Sequence, residues 1–143
     1  MTTLDADGAP VGFTATSLAS LSAVPPTATF NMAQTASTWP AIQSAERVII
    51  HLLGVRNQPQ AQQLSGPRAD RFDGDHWEPG PHGLPLLRDV TAWMVGRIVS
   101  RIPIQQAAIV AVQIEEGGLG GPDDPLLYHE RRYSRPEPFI LGS

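Results

Sequence analysis

The chain has 143 residues, 41% of them hydrophobic, and a formal net charge of -4, which is one domain's length with enough apolar content to bury a core and no basic face for a nucleic acid. It has no cysteine, which removes disulfides, thiolate nucleophiles, iron-sulfur clusters and cysteine zinc sites, and its ten basic residues are all arginine, which removes a Walker-type lysine and Schiff-base chemistry. No apolar run nears the ~20 residues that cross a bilayer and no signal segment opens the chain, so the expectation is one soluble, cytoplasmic domain over 1–143.

Residues 1–10 end in the turn dipeptide Asp7-Gly8. Residues 11–16 alternate, Val11, Phe13 and Ala15 against Gly12, Thr14 and Thr16, which predicts a half-buried strand with a hydroxyl-rich outer face. Small residues follow to Pro25-Pro26 and predict a turn where a flat ligand could approach the backbone. Alternation returns over 27–32, with Ala28, Phe30 and Met32 on one face and Thr27, Thr29 and Asn31 on the other, predicting a second strand. A short helix is expected after Ser37 or Thr38 as N-cap, with Pro40 in its first turn, and its free amides would offer a phosphate site.

Residues 47–53 read as a central strand. His51 has no partner at ligand spacing there and reads as a satisfied core or interface histidine. A short helix is expected over 57–64, then a long loop over 67–83, of the length that tends to carry function. In that loop Asp73, Asp75 and His76 lack a further ligand at a recurring spacing, so no metal is expected. Strands are predicted over 91–101, with Gly96 marking a bulge or a barrel corner, and over 107–114. Residues 115–125, EEGGLGGPDDP, read as a flexible loop whose composition cannot pack, and 126–133 close the pattern. Six strands in short hairpin-like steps, two or three short helices and no strand-helix rhythm predict a mainly β fold, a six-stranded Greek-key split β-barrel.

Several of these stretches, in order, resemble the flavin reductase-like family of FMN-binding split barrels. They are the Gly12-Phe13-Thr14-Ala15-Thr16-Ser17 run leading to Pro25-Pro26, residues 35–40 beside the family's Thr-Ser-Ser-Thr-Trp-Pro, Asp70-Arg71-Phe72 with Trp77, Leu84-Pro85-Leu86-Leu87, and Leu126-Leu127-Tyr128-His129 with Tyr133. The resemblance implies that Thr14, Thr16, Ser17 and Asn31 hold the flavin ring, and that Ser37 and Thr38, with Thr35 nearby, hold its phosphate. It implies that Arg71 and Phe72 contact flavin or nicotinamide nucleotide, and that His129 is the catalytic residue orienting the nicotinamide. The implied activity is reduction of FMN or FAD by NADH or NADPH in a homodimer, with the reduced flavin passing to a monooxygenase component.

The departures from the family are specific. Gln34 stands where an arginine is common, Ala36 where a serine is, and Val24 where an aspartate precedes Pro-Pro, while residues 103–108 lack a histidine found in relatives. The chain also begins late, with the family's first helix and most of its first strand expected to be missing. These departures leave open a flavin-binding protein without turnover, or a degenerate barrel serving only as a dimerisation module.

Overall fold

A computed structural model describes residues 1–139. Among them are β1 (Thr2–Leu4), β2 (Pro10–Gly12), β3 (Ala19–Ala23), β4 (Pro26–Ala33), β5 (Arg47–Leu52), β6 (Trp77–Pro79), β7 (Pro85–Leu87), β8 (Ala92–Ile104), β9 (Ala107–Leu119), β10 (Leu127–His129) and β11 (Arg132–Ser134). The helices are α1 (Trp39–Ser44) and α2 (Gln58–Ser65), and none is long and apolar enough to cross a membrane.

The fold is mainly β. Seven strands form one antiparallel sheet in the order β2-β1-β5-β8-β9-β4-β3, where six strands were expected. The difference arises at two places. The alternating stretch 11–16 contributes only Val11 and Gly12, the last two residues of β2, and the small-residue run after it is not a turn but β3, folded back on β4. Small side chains leave the ladder hydrogen bonds unobstructed, so composition alone could not separate strand from turn there. The ending 126–133 is a separate hairpin of β10 and β11, and β6, inside what read as a long loop over 67–83, pairs with β7 just beyond it.

The period-two burial survives even where the pairing does not. Phe13, Ala15 and Leu18 pack on a cluster built from Phe30, Ile42, Val48, Ile50, Val110 and Val112, so residues beside both outermost strands contribute to one core. Gly96 marks a register shift in the β8–β9 ladder, as expected, with Val112 packed against it. Helix α1 lays Trp39, Ala41 and Ile42 into the core, and its C-terminal carbonyls, which have no partner within the helix, accept from Arg101 through Ile42 and Ala45.

The glycine-rich stretch 115–125 overturns the expectation of a free loop. Its first half extends β9 to Leu119, opposite Ala92. The rest is strapped to residues 54–57: Arg56 donates to the carbonyls of Asp89 at 2.8 Å, Gly121 at 2.7 Å and Pro122 at 3.0 Å, while the Arg56 amide donates to Asp123 Oδ2 at 2.8 Å. That backbone hydrogen bond holds the Asp123 carboxyl below its usual pKa. Gly54 makes the crossing possible, because a Cβ there would lie 2.5 Å from Asp123 Oδ2. Composition judged whether this segment could bury apolar surface; its order comes from carbonyls meeting one guanidinium.

Replacing Arg56 with alanine should therefore loosen the strap and leave the core alone. Each lost hydrogen bond is worth about 1 kcal/mol, so the Gly120 and Leu126 amides, now bonded to Thr91 and Leu53, should exchange at least five-fold faster, with Val110 and Val112 unchanged. Unaltered exchange at Gly120 and Leu126 would refute the strap.

Candidate functional site

The segment 13–18 carries the chain from β2 at one outer position of the sheet to β3 at the other. Its inward Phe13 and Ala15 leave Thr14 and Thr16 exposed, and neither hydroxyl has a hydrogen-bond partner among the described residues. Ser17 behaves differently. Its Oγ accepts from the Asn31 amide at 2.8 Å and donates to the Asn31 carbonyl at 3.3 Å, doing the work of one more backbone rung between β3 and β4. Asn31 alternates with the buried Phe30, so its side chain stands on the exposed outer face. Thr14, Thr16, Ser17 and Asn31 thus share one stretch of surface.

Ser37 and Thr38 lie just ahead of α1. Ser37 is exposed; Thr38 occupies the N-cap position but is buried and makes no side-chain cap bond, and the helix has only six residues. The expected amide-rich cradle is therefore slight, since the dipole of so short a helix is small. Gln34, which by the resemblance stands in place of an arginine, is committed elsewhere. Its Nε2 donates to the carbonyls of Gln105 at 3.1 Å and Ala107 at 2.7 Å, closing the β8–β9 turn.

Two arginines on the turn after α2 connect these pieces. Arg71 donates through Nη1 to the Gly12 carbonyl at 2.9 Å and through Nε to the Gly66 carbonyl at 3.0 Å. Arg68, which the sequence reading passed over, donates through Nη1 to the Ser37 carbonyl at 2.9 Å. Burial, and secondarily the charge of Arg68, lowers the Arg71 pKa. One turn therefore grips the start of the hydroxyl segment and the loop before α1 together.

Phe72 packs against Gly12, where an added Cβ would meet the ring at 2.8 Å, and meets Trp77 edge-on at 5.3 Å between centroids. It belongs to a cluster with Leu64, Leu87 and Val90, so much of the ring is covered from within. His129 stands exposed on the β10–β11 hairpin, which pairs with no other strand among the described residues and is tied at its base by Arg135 and Asp124 at 3.7 Å. The chain by itself does not bring His129 to the hydroxyl segment through any hydrogen bond among the described residues. Two adjoining clefts of about 460 and 530 Å³ meet at Arg56, Arg88 and Asp89 and contain none of the expected residues. The signal for Arg68 was a lone cation in the Gly66-Pro67-Arg68 loop, too common a pattern to single out from sequence.

With this sheet, hydroxyl segment and arginine turn in place, comparison with known proteins gives the class. The chain belongs to the flavin reductase-like domain family, whose model matches residues 1–137. It is 38% identical over 141 residues to an NADH:FMN oxidoreductase of Rhodococcus qingshengii, covering 95% of this chain and 73% of that protein. Among solved structures it is similar to a flavin reductase domain protein from Arthrobacter sp. FB24, with a TM-score of 0.93 and 46% identity over 98% of this chain and 87% of that one. It is also similar to nitrilotriacetate monooxygenase component B from Mycobacterium thermoresistibile, with a TM-score of 0.87 and 25% identity over 95% of this chain and 76% of that one.

His51 needs its own account, because only half of it is satisfied. Its Nε2 accepts from the Leu87 amide at 3.0 Å, which places the proton on Nδ1, and Nδ1 is buried with no partner among the described residues. Burial, and secondarily the Met1 ammonium, pushes the His51 pKa well below 6.5. At His51 the folded form therefore binds fewer protons than the unfolded chain below about pH 6.5, so this residue's contribution to stability is full above that pH and falls as the pH drops toward the folded pKa. Urea unfolding between pH 7.5 and 5.5 should show a loss approaching about 1.4 kcal/mol per pH unit below pH 6.5 from this residue. His51→Gln, which can still accept from Leu87 but does not titrate, should reduce that slope by this residue's share, the remainder including the buried Met1 ammonium, whose pKa burial lowers to about 5; an unchanged slope would assign it wholly to other groups.

Proposed function

We propose that the protein reduces FMN or FAD with NADH or NADPH and releases the reduced flavin to a partner monooxygenase. The observation that carries this reading is the free hydroxyl strip of Thr14 and Thr16 beside Asn31, joined through Arg68 and Arg71 to the loop of Ser37 and Thr38. The residues fit a flavin. Threonine hydroxyls both donate and accept, as the alternating edge of the ring system requires, and the small neighbours Ala15, Ser17 and Ala19 leave room for a flat group.

In this reading Thr14, Thr16 and the Asn31 side-chain carboxamide bind the ring edge, and the Ser17 hydroxyl, bonded to the Asn31 backbone, keeps Asn31 in register. Ser37 and Thr38 receive the phosphate. Arg71 and Phe72 brace Gly12 at the wall of the site, and His129 orients the nicotinamide. Bound flavin supplies the hydride acceptor, so the chain's task is to hold two rings within roughly 3–3.5 Å and keep water out.

The reading includes a split Greek-key barrel formed by a single domain. Seven flat strands ~4.8 Å apart would separate β2 from β3 by about 29 Å, whereas residues 13–18 reach at most about 25 Å, which favours a sheet that curls until its ends approach. It also includes a homodimer. Ile102 and Ile104 are 48% and 51% exposed on the outer face of β8, and Ile102 lies in one cross-strand row with Ile109 and Asn31, an apolar surface next to the site that a second copy would cover. A cytoplasmic location, with access to reduced nicotinamide, goes with this activity.

Purified protein should oxidise NADH or NADPH only when FMN or FAD is added. Thr16→Val and Asn31→Ala should each weaken flavin binding several-fold, about 1 kcal/mol per lost hydrogen bond, with little change in melting temperature. Flavin bound without nicotinamide oxidation would select the non-catalytic reading, and no turnover with any pair of flavin and donor would overturn the enzyme.

A further inference from the structure

A phosphate site in this chain has an electrostatic problem. The protein carries a net charge of -4, and the hydroxyl loop 33–40 contains no charged residue. Position 34 cannot supply a cation, because it is glutamine and its amide is spent on the Gln105 and Ala107 carbonyls. The α1 terminus adds little, being six residues long with no side-chain cap bond. Hydroxyls alone would have to hold a phosphate of nearly two negative charges against the field of the protein.

The cation comes from another element. Arg68 is exposed, lies on the turn after α2, and reaches the Ser37 carbonyl with one Nη1 hydrogen at 2.9 Å, leaving the rest of its five-donor fork uncommitted. Among the described residues neither Arg68 nor Arg71 pairs with a carboxylate, which is also true of Arg97, Arg101, Arg131 and Arg132; what sets Arg68 apart is its bond to the Ser37 carbonyl. The two lie on one turn, and the charge of Arg68 is felt by Arg71. A pair of guanidinium groups without a counter-ion, one of them held at the carbonyl of Ser37, is the arrangement that receives a doubly charged oxyanion.

We infer that Arg68 binds the flavin phosphate, supplying from the turn after α2 the positive charge that the loop before α1 lacks. The inference rests on the flavin reading above and adds to it a phosphate-selecting residue. Arg68 contributes to the ligand's phosphate and not to its ring, so it discriminates FMN from riboflavin, which has the same ring system and no phosphate.

The test is equilibrium titration of the full chain with FMN and with riboflavin, in parallel, for the wild type, Arg68→Gln and Arg68→Lys. Arg68→Gln should weaken FMN about tenfold and leave riboflavin within twofold, and should flatten the salt dependence of FMN affinity; Arg68→Lys should keep part of the FMN preference. Inorganic phosphate should compete with FMN in the wild type and lose that effect in Arg68→Gln. Equal weakening of both ligands would mean that Arg68 only props the Ser37 loop, and an unchanged FMN affinity would place the phosphate elsewhere; either overturns the inference. A wild type that binds riboflavin and FMN equally well refutes the phosphate role while sparing the ring site, whereas one that binds neither removes the flavin reading itself.

Discussion

Backbone carbonyls at turns, helix ends and the sheet edge, met by arginine, are the interaction on which this structure depends. The chain turns many times in stretches rich in glycine and proline, and each turn exposes carbonyls that no neighbouring strand can pair. Arg56 takes up those of Asp89, Gly121 and Pro122, Arg71 those of Gly12 and Gly66, Arg101 those of Ile42 and Ala45, and Arg68 that of Ser37. A guanidinium presents five donors in a rigid plane and can serve two or three carbonyls at once, which an ammonium on a flexible stem does less well. The lack of lysine in the chain fits this use.

The same device shapes the site. The connection from β2 to β3 must join the two outermost strands, so residues 13–18 leave the sheet, and their outward hydroxyls are released from any ladder. What holds this stretch in place is the sheet, through Phe13 and Met1 at its start and through Ser17 and the Asn31 backbone at its end, and the turn after α2, through Arg71 and Gly12. Thr14 and Thr16 are left free by the surrounding bonds. An exposed hydroxyl with no partner in the protein is available to a ligand, and one that completes a rung, like that of Ser17, is suited to the fold.

The family resemblance and the geometry divide the expected residues in a way that neither does alone. By resemblance Ser17 and Thr16 are alike, as are Arg71 and Phe72. In the fold Ser17 is a backbone partner, Phe72 fills the gap beside Gly12, and Gln34 closes the β8–β9 turn. The departure at position 34 is thus a residue with a structural task, and the cation nearest the Ser37 loop comes from a segment 31 positions further along the chain.

Local periodicity made much of the fold readable before any coordinates. Ala28 and Phe30 faced inward as their alternation required, Phe13 and Ala15 did so beyond the end of β2, Pro40 entered the first turn of α1, and Gly96 marked a bulge. These features are set by neighbours one to four residues away. The strap over 120–126, the half-satisfied His51, the task of Gln34 and the place of Arg68 were decided by partners 31 to 73 positions distant. A sequence states which donors and acceptors exist and how they alternate. Which donor meets which carbonyl is settled only when the sheet brings remote turns together, because one arginine in a polar loop looks like any other until its neighbour across the fold is known.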